Sequence, residues 1–390
     1  MKSSNNQSNG MRIALLALAH GVTDSYGNFL AALSLPLVTK LGISKIQLGG
    51  LVSVQSIASS MSQTGFGYLS DRFGRGIFVT VAPAVAAIFM SFIGLAPNYL
   101  TLAVLLLIGG FGVASLHPQG AATAGKLSQE RKGLGVSIFT FGGSVGFALG
   151  PLIITSIVSV FGMKGSPLAL IFGVATSIVL FFTLYGKPFM NPTTQHERLG
   201  LIEAIRPHLK VLLLLLAIVV FRAGASVIFT NFLRVLKSEF TGIAGGFVLF
   251  VYLASGSIGG VVGGYLSDRI SRKVILIFSL FAATPFMLAI VHSSGIIFFI
   301  YLFFAGFILS SSTPINIVMA QEMLPRNASM GSSFMMGLGW GIGGLLSIPF
   351  GALADINMVA TMSGLAFVPM FTTVFAIMLP SDRKRRKGLE

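Results

Sequence analysis

Apolar stretches of about 18 residues or more recur from one end of this chain to the other, each long enough for a helix to cross a roughly 30 Å hydrocarbon layer. Inside such a layer no water satisfies backbone N–H and C=O groups, so only helices or a closed barrel can span it. No segment alternates polar and apolar residues at period two, which removes the barrel. Of the 390 residues, 54% are hydrophobic and 9% charged, too little charge to cover a surface that faces water. Hydropathy predicts twelve helices, near 12–39, 45–69, 77–96, 99–124, 134–161, 166–185, 210–236, 243–266, 274–292, 295–321, 331–354 and 360–379. The ALLALA run after Arg12 is read as part of a retained first helix, because cleavage near Ala19 would remove half of that span. With no cysteine, disulfides and thiolate metal sites are excluded.

The net charge of +15 would suit a nucleic-acid partner, but its placement argues otherwise. With both termini on the cytoplasmic side, 20 of the 26 Lys and Arg residues fall there. Five fall outside (Lys40, Lys45, Lys164, Arg234, Lys237), and Arg222 lies within a helix. That bias is the positive-inside pattern of an inner-membrane protein, and it leaves SDRKRRKGLE as a cytoplasmic tail. The expected partners are the bilayer, a small-molecule substrate and protons, with no nucleic acid and a monomeric state.

Two loops repeat almost letter for letter: GYLSDRFGR at 67–75 and GYLSDRISR at 264–272, 197 residues apart. The same offset carries Gly142, Ser144 and Gly146 onto Gly339, Gly341 and Gly343. A shared period of half the chain predicts a duplication: a six-helix half at 1–186, a polar cytoplasmic linker at 187–209, and a second six-helix half at 210–390. The Gly-x-x-x-Asp-Arg-x-Gly-Arg loop with its degenerate second copy resembles the signature of the major facilitator superfamily. AHGVTD (19–24), LHPQGAATA (116–124), GGSVGFALGP (142–151) and AQEMLP (320–325) are similar to the fosmidomycin-resistance type of exporter within it.

The resemblance implies an all-α membrane fold of two pseudo-symmetric halves, alternating access, and a cavity lined by helices 1, 4, 7 and 10. It also implies a conformational latch at Asp71, Arg72 and Arg75, with Asp268, Arg269 and Arg272 as its second copy. There Ser271 replaces the glycine. Glu322, at the cytoplasmic end of helix 10, suits a latch or cap. On helix 5, Gly142, Gly146 and Gly150 recur every fourth residue before Pro151, a small-residue face for close helix packing and a bend. The superfamily associates a Gly-Pro stretch here with antiport, although Leu152 and Ile153 follow where its second half would stand.

Ionisable groups at membrane depth are costly by about 2.5–3.5 kcal/mol on insertion scales, so they face partners or water-filled cavities. Asp24 and Arg222 each lie 12 residues into corresponding helices of the two halves. They form either a structural ion pair or a substrate and proton site, and a pair broken by substrate would itself be a gate. His20, Asp24 and Asn28, four apart, are predicted to make one stripe, with Asp24 and His20 coupling protons. Arg222, Asn28, His117, Asn316 and Trp340 are candidate substrate contacts, with Ser310–Thr313 as polar lining and Gln119 a weaker candidate. No phosphate-binding Gly-x-x-x-x-Gly-Lys loop, no catalytic Ser-His-Asp pattern and no metal-ligand spacing occurs along the chain, so no enzyme, cofactor or metal is expected. The expected function is proton-coupled export of a small, anionic organic compound. Proton-coupled import of an organic anion remains the alternative, and a receptor or sensor on the same fold is a third reading of another class.

Overall fold

The computed structural model of the chain describes residues 2–73, 76–128, 132–187, 205–267, 269–324 and 328–380. Helix is the only extended regular structure among them, as backbone satisfaction in lipid requires. In chain order the helices are α1 (Lys2–Tyr26), α2 (Phe29–Leu41), α3 (Lys45–Ser56), α4 (Gln63–Phe73), α5 (Ile77–Ser91), α6 (Tyr99–Leu127), α7 (Lys132–Phe161) and α8 (Leu170–Leu184). After the linker come α9 (Leu209–Leu236), α10 (Gly242–Ser267), α11 (Arg272–His292), α12 (Gly295–Ser310) and α13 (Thr313–Met323). The chain ends with α14 (Ala328–Ser333), α15 (Gly339–Leu345), α16 (Ser347–Ile356) and α17 (Met358–Met378). These segments make up the twelve predicted spans, ten of which run, among the described residues, long and apolar enough to cross a membrane. Large side chains such as Val160, Phe182, Ile296, Phe371 and Ile356 stand exposed, a surface that only lipid solvates without penalty.

Four spans are broken where the sequence reading ran them straight. The first parts at Gly27–Asn28, where Gly27 N donates to Asp24 O at 3.0 Å in a tighter turn. The second carries a π turn at Ile57–Met61 between α3 and α4. The tenth parts between α12 and α13, where Pro314 occupies the first turn of the new helix and has no N–H to continue the old one. The eleventh is α14, a π turn at Phe334–Leu338, α15 and α16. By contrast α7 runs unbroken through Pro151.

The chain divides into two compact units. One comprises Met1–Ile43, Val54–Thr194 and Glu239–Phe250, the other Ser44–Ser53, Gln195–Ser238 and Val251–Glu390. Each is thus one sequence half with a short segment exchanged. The first packs a core of Leu16, Ala19, Val79, Leu116, Phe139 and Leu180, and the second a core of Leu215, Ile218, Leu276, Leu280, Ile315 and Met319.

The duplication reaches side-chain contacts that the repeated loops did not reveal. In the first unit Lys40 Nζ donates to Gly94 O at 2.8 Å and Ala96 O at 2.9 Å, where α5 and its 3-10 extension end. In the second, Lys237 Nζ donates to Val291 O at 3.5 Å and Ser293 O at 2.7 Å at the end of α11. All three positions are displaced by the same 197 residues. A cation on the last carbonyls of a helix satisfies acceptors that have no intrahelical donor and opposes the helix dipole.

Candidate functional site

Within the first unit, α1 is seated on α7 by a ladder of glycines. A Cβ at Gly142 would stand 2.2 Å from Ala17 O, at Gly146 1.8 Å from Gly21 O, and at Gly150 2.1 Å from Ser25 O. The four-residue spacing puts one glycine on each successive turn of the contact. Near the end of this ladder Pro151 cannot donate to the carbonyl of Phe147, four residues earlier. Asn28 Nδ2 donates to that oxygen at 2.7 Å instead. His20 Nδ1 makes the equivalent contact eight residues earlier, with Phe139 O, so Asn28 shares the α7-facing side with His20 and its amide nitrogen is committed to holding α7.

His20 and Asp24 remain neighbours on α1, one turn apart and about 40° around the helix. Asp24 Oδ2 lies 3.1 Å from His20 Nε2. The third member is His117 of α6, whose Nε2 lies 3.5 Å from Asp24 Oδ1. The two imidazoles meet edge to face, centroids 4.8 Å apart. The far nitrogens are anchored to backbone: His20 Nδ1 is 2.8 Å from Phe139 O on α7, and His117 Nδ1 is 2.9 Å from Val113 O on its own helix. His20 also stacks on Phe139, ring centroids 4.1 Å apart. The cluster joins α1, α6 and α7.

The donor atoms of these three side chains lie within 4.8 Å of one another, a juxtaposition concealed in the sequence because His117 is 93 residues from Asp24. The expectation that no such set exists is corrected to that extent. These donor types are ones a divalent cation accepts, and the 3.1 Å separation of His20 Nε2 and Asp24 Oδ2 is also one that a single proton can span.

A second polar group lies in the other unit. Arg222 on α9 is 2% exposed, the largest of the fully buried side chains. Its Nη1 donates to Thr313 Oγ1 of α13 at 2.9 Å, and its guanidinium carbon sits 5.7 Å from the centre of the Trp340 ring on α15. Trp340 thus packs on the predicted cation, an arrangement that stabilises buried charge. Asn316, fully buried one turn along α13, donates to Ser312 O at 3.3 Å, and its Oδ1 accepts no hydrogen bond among the described residues. Gln119 is structural: its Oε1 accepts from Val79 N at 3.2 Å near the start of α5.

Of the predicted latch, the side chains of Asp71 and Arg72, and Arg75 and Asp268, lie outside the described residues. Arg269 stacks over the Tyr265 ring at 4.3 Å, and Arg272 pairs with Glu322 at the end of α13. Sequence reading missed one acidic residue altogether. Asp355 on α16 accepts from Lys45 N at 2.8 Å and Ile46 N at 2.9 Å, capping α3, and lies 3.6 Å from Lys45 Nζ. The signal available was α3 itself, which begins at Lys45 with no acidic residue in its first turn.

Comparison with known proteins agrees with this architecture. The chain is similar to the uncharacterized MFS-type transporter YfnC of Bacillus subtilis (strain 168), 26% identical over 96% of this chain and 94% of that protein. It is similar, again at 26% identity, to the fosmidomycin resistance protein of Escherichia coli (strain K12), over 96% of this chain and 93% of that one. Among solved structures, a peptide transporter POT in complex with sulfate superposes with a TM-score of 0.74 at 14% identity, covering 97% of this chain and 95% of its own. The profile of the Major Facilitator Superfamily matches residues 15–347 and, in a second placement, 214–390. The chain therefore belongs to the Major Facilitator Superfamily of integral-membrane secondary transporters.

Proposed function

We propose that this transporter exports a small, anionic organic compound from the cytoplasm in exchange for protons, with Asp24 and His20 coupling the proton and Arg222 attracting the anion. The observation that carries the reading is the contact of Asp24 with two imidazoles in the interior of α1 and α6. A carboxylate and two histidines are groups that change charge by binding protons, placed where charge is costly and a change of charge is therefore felt. Arg222 supports the anionic substrate. Among the described residues of its own unit, its partners Thr313 and Trp340 are neutral, so neither cancels its positive charge. Asn316, with an uncommitted carbonyl oxygen one turn from Thr313, is a neutral partner for the same compound.

Efflux as the direction is supported by the fosmidomycin resistance protein among the relatives. Residence in the cytoplasmic membrane with both termini inside is supported by the distribution of Lys and Arg. Proteoliposomes under an imposed pH gradient test the reading, with fosmidomycin and a panel of small phosphonates and carboxylates as probes. Wild type concentrates at least one anion against its gradient. Asp24→Asn loses the uphill component but retains exchange of substrate for substrate. Unchanged uphill transport in Asp24→Asn removes Asp24 as the coupling group, and absence of gradient-driven flux for every probe removes the reading.

A further inference from the structure

The hydrogen bonds at the back of the two histidines fix where protons can sit at the front. A carbonyl oxygen only accepts, so the short contacts to Phe139 O and Val113 O place a hydrogen on Nδ1 of both His20 and His117. Both Nε2 atoms therefore face Asp24 with either a lone pair or a second proton. A lone pair against a carboxylate oxygen in a dry interior is repulsive, so each contact is favourable only when a proton lies in it. Asp24 thus has two proton slots, one towards each ring. The cluster is negative with neither filled, neutral with one and positive with both, and the neutral state is the least costly in a low-dielectric surrounding.

The two slots are unequal. The His20 slot is the shorter, 3.1 Å against 3.5 Å, and its ring cannot swing. One face stacks on Phe139, and a Cβ at Gly143 would meet His20 Cε1 at 2.4 Å, so the α7 backbone closes on the ring. The His117 side chain is 18% exposed against 6% for His20. It precedes Pro118, which has no N–H to tie the carbonyl of Ala114, so α6 is most easily bent at the histidine itself. Asp24 and His20 are the titratable groups that face His117, both from α1. Of the other helices packed on α6, α5 has no charged residue and the described side chains of α4 and α7 carry none. Arg12 and Lys126 stand 12 and 9 residues towards the cytoplasmic ends of α1 and α6, more than about 13 Å along each helix.

We propose that His117 carries the exchanged proton. In this arrangement the His20–Asp24 slot stays filled as a fixed neutral pair, and the His117–Asp24 slot fills and empties during transport. The proposal rests on the reading of proton-coupled export but refines its site: His117 moves from substrate contact to coupling, and His20 becomes the fixed partner of Asp24 in place of a coupling group. A bend of α6 at Pro118 lengthens or shortens the His117–Asp24 gap, so proton occupancy and helix shape are tied at one residue.

The test is nitrogen NMR of wild-type protein in lipid nanodiscs, with histidines labelled with nitrogen-15 and assigned by His20→Gln and His117→Gln. As pH falls from about 8 to 5, the His117 Nε2 signal is expected to move in one step from its lone-pair position to its protonated one, and the step is confined to that residue. Asp24→Asn should abolish the step. A His117 signal constant across that range, or a step at His20 instead, overturns the proposal. The measurement needs no substrate, so it fails independently of the export reading. If His117 titrates but no pH gradient drives flux, export coupling is lost and the proton site stands. In transport, His117→Gln should lose the response to the gradient and keep exchange. His20→Gln should slow both while remaining gradient-driven, and the opposite pattern overturns the assignment.

Discussion

Gly146→Ala is the substitution whose cost follows most directly from the structure. The added Cβ would stand 1.8 Å from Gly21 O and 2.4 Å from Gly21 Cα, whereas ordinary contact begins at 3.4 Å. The obstacle is backbone on both sides, so no side chain can rotate away. α1 and α7 must separate by about 1.6 Å at this turn, and overpacking of this kind costs about 3 kcal/mol, the upper part of the usual range. That corresponds to a fall in melting temperature of roughly 4 °C for a chain of 390 residues. The same shift would stretch the 2.8 Å contact of His20 Nδ1 with Phe139 O beyond hydrogen-bond length, releasing the ring that orients the proton site. Gly146→Ala should therefore lose stability and gradient-driven flux together. Gly364→Ala on α17, where a Cβ meets nothing within 4 Å, is the control and should be neutral or gain up to about 1 kcal/mol in helix propensity. Thermal unfolding in detergent and flux in proteoliposomes read both effects. If Gly146→Ala melts with Gly364→Ala, the ladder does not set the approach of the helices and the reasoning is refuted.

Three other substitutions probe contacts that hold the site in place. Asn28→Ala leaves the carbonyl of Phe147 without either its proline-blocked partner or the amide, and should lower stability by about 1–3 kcal/mol; a wild-type melting temperature would mean that the carbonyl is satisfied another way. Lys237→Met should cost more than Lys40→Met, although the two cap equivalent helix ends, because Lys237 is 9% exposed whereas Lys40 is exposed; equal losses would contradict this difference. Asp355→Ala removes two N–H contacts at the start of α3 and should cost about 1 kcal/mol, with only a few tenths more from the exposed Lys45 pair. Asp355→Asn, which keeps an acceptor, should recover part of it in the same melting assay.

The spans, the duplication and the identity of the buried polar residues were legible because each leaves a periodic or local mark. Lipid dictates an apolar run of fixed length, and a gene-scale repeat carries its loop with it. What was not legible depended on contacts between distant parts of the chain. Asp24 invited a search for a cation at matching depth, and Arg222 answered it by helix counting. Within its own unit, the nearest partners of Asp24 among the described residues are imidazoles one turn away and on α6. Pro151 read as a bend, yet α7 passes through it, and the consequence falls on the carbonyl of Phe147 and so on Asn28. The rule that proline orphans the carbonyl four residues back was available; which side chain would fill the vacancy was not. Asp355 drew no expectation because its role lies in the helix it caps.

The central claim is exchange of substrate for protons through the Asp24 cluster, and coupling of that kind must run in reverse. Proteoliposomes loaded with a transported anion and the dye pyranine, then diluted into anion-free medium, test it without an imposed pH gradient. As the anion leaves, protons must enter, so the lumen of wild-type vesicles should acidify. Vesicles carrying Asp24→Asn should show no pH change. A lumen that stays at constant pH while wild-type protein releases the anion, or one that turns alkaline as anion and proton leave together, would contradict the account.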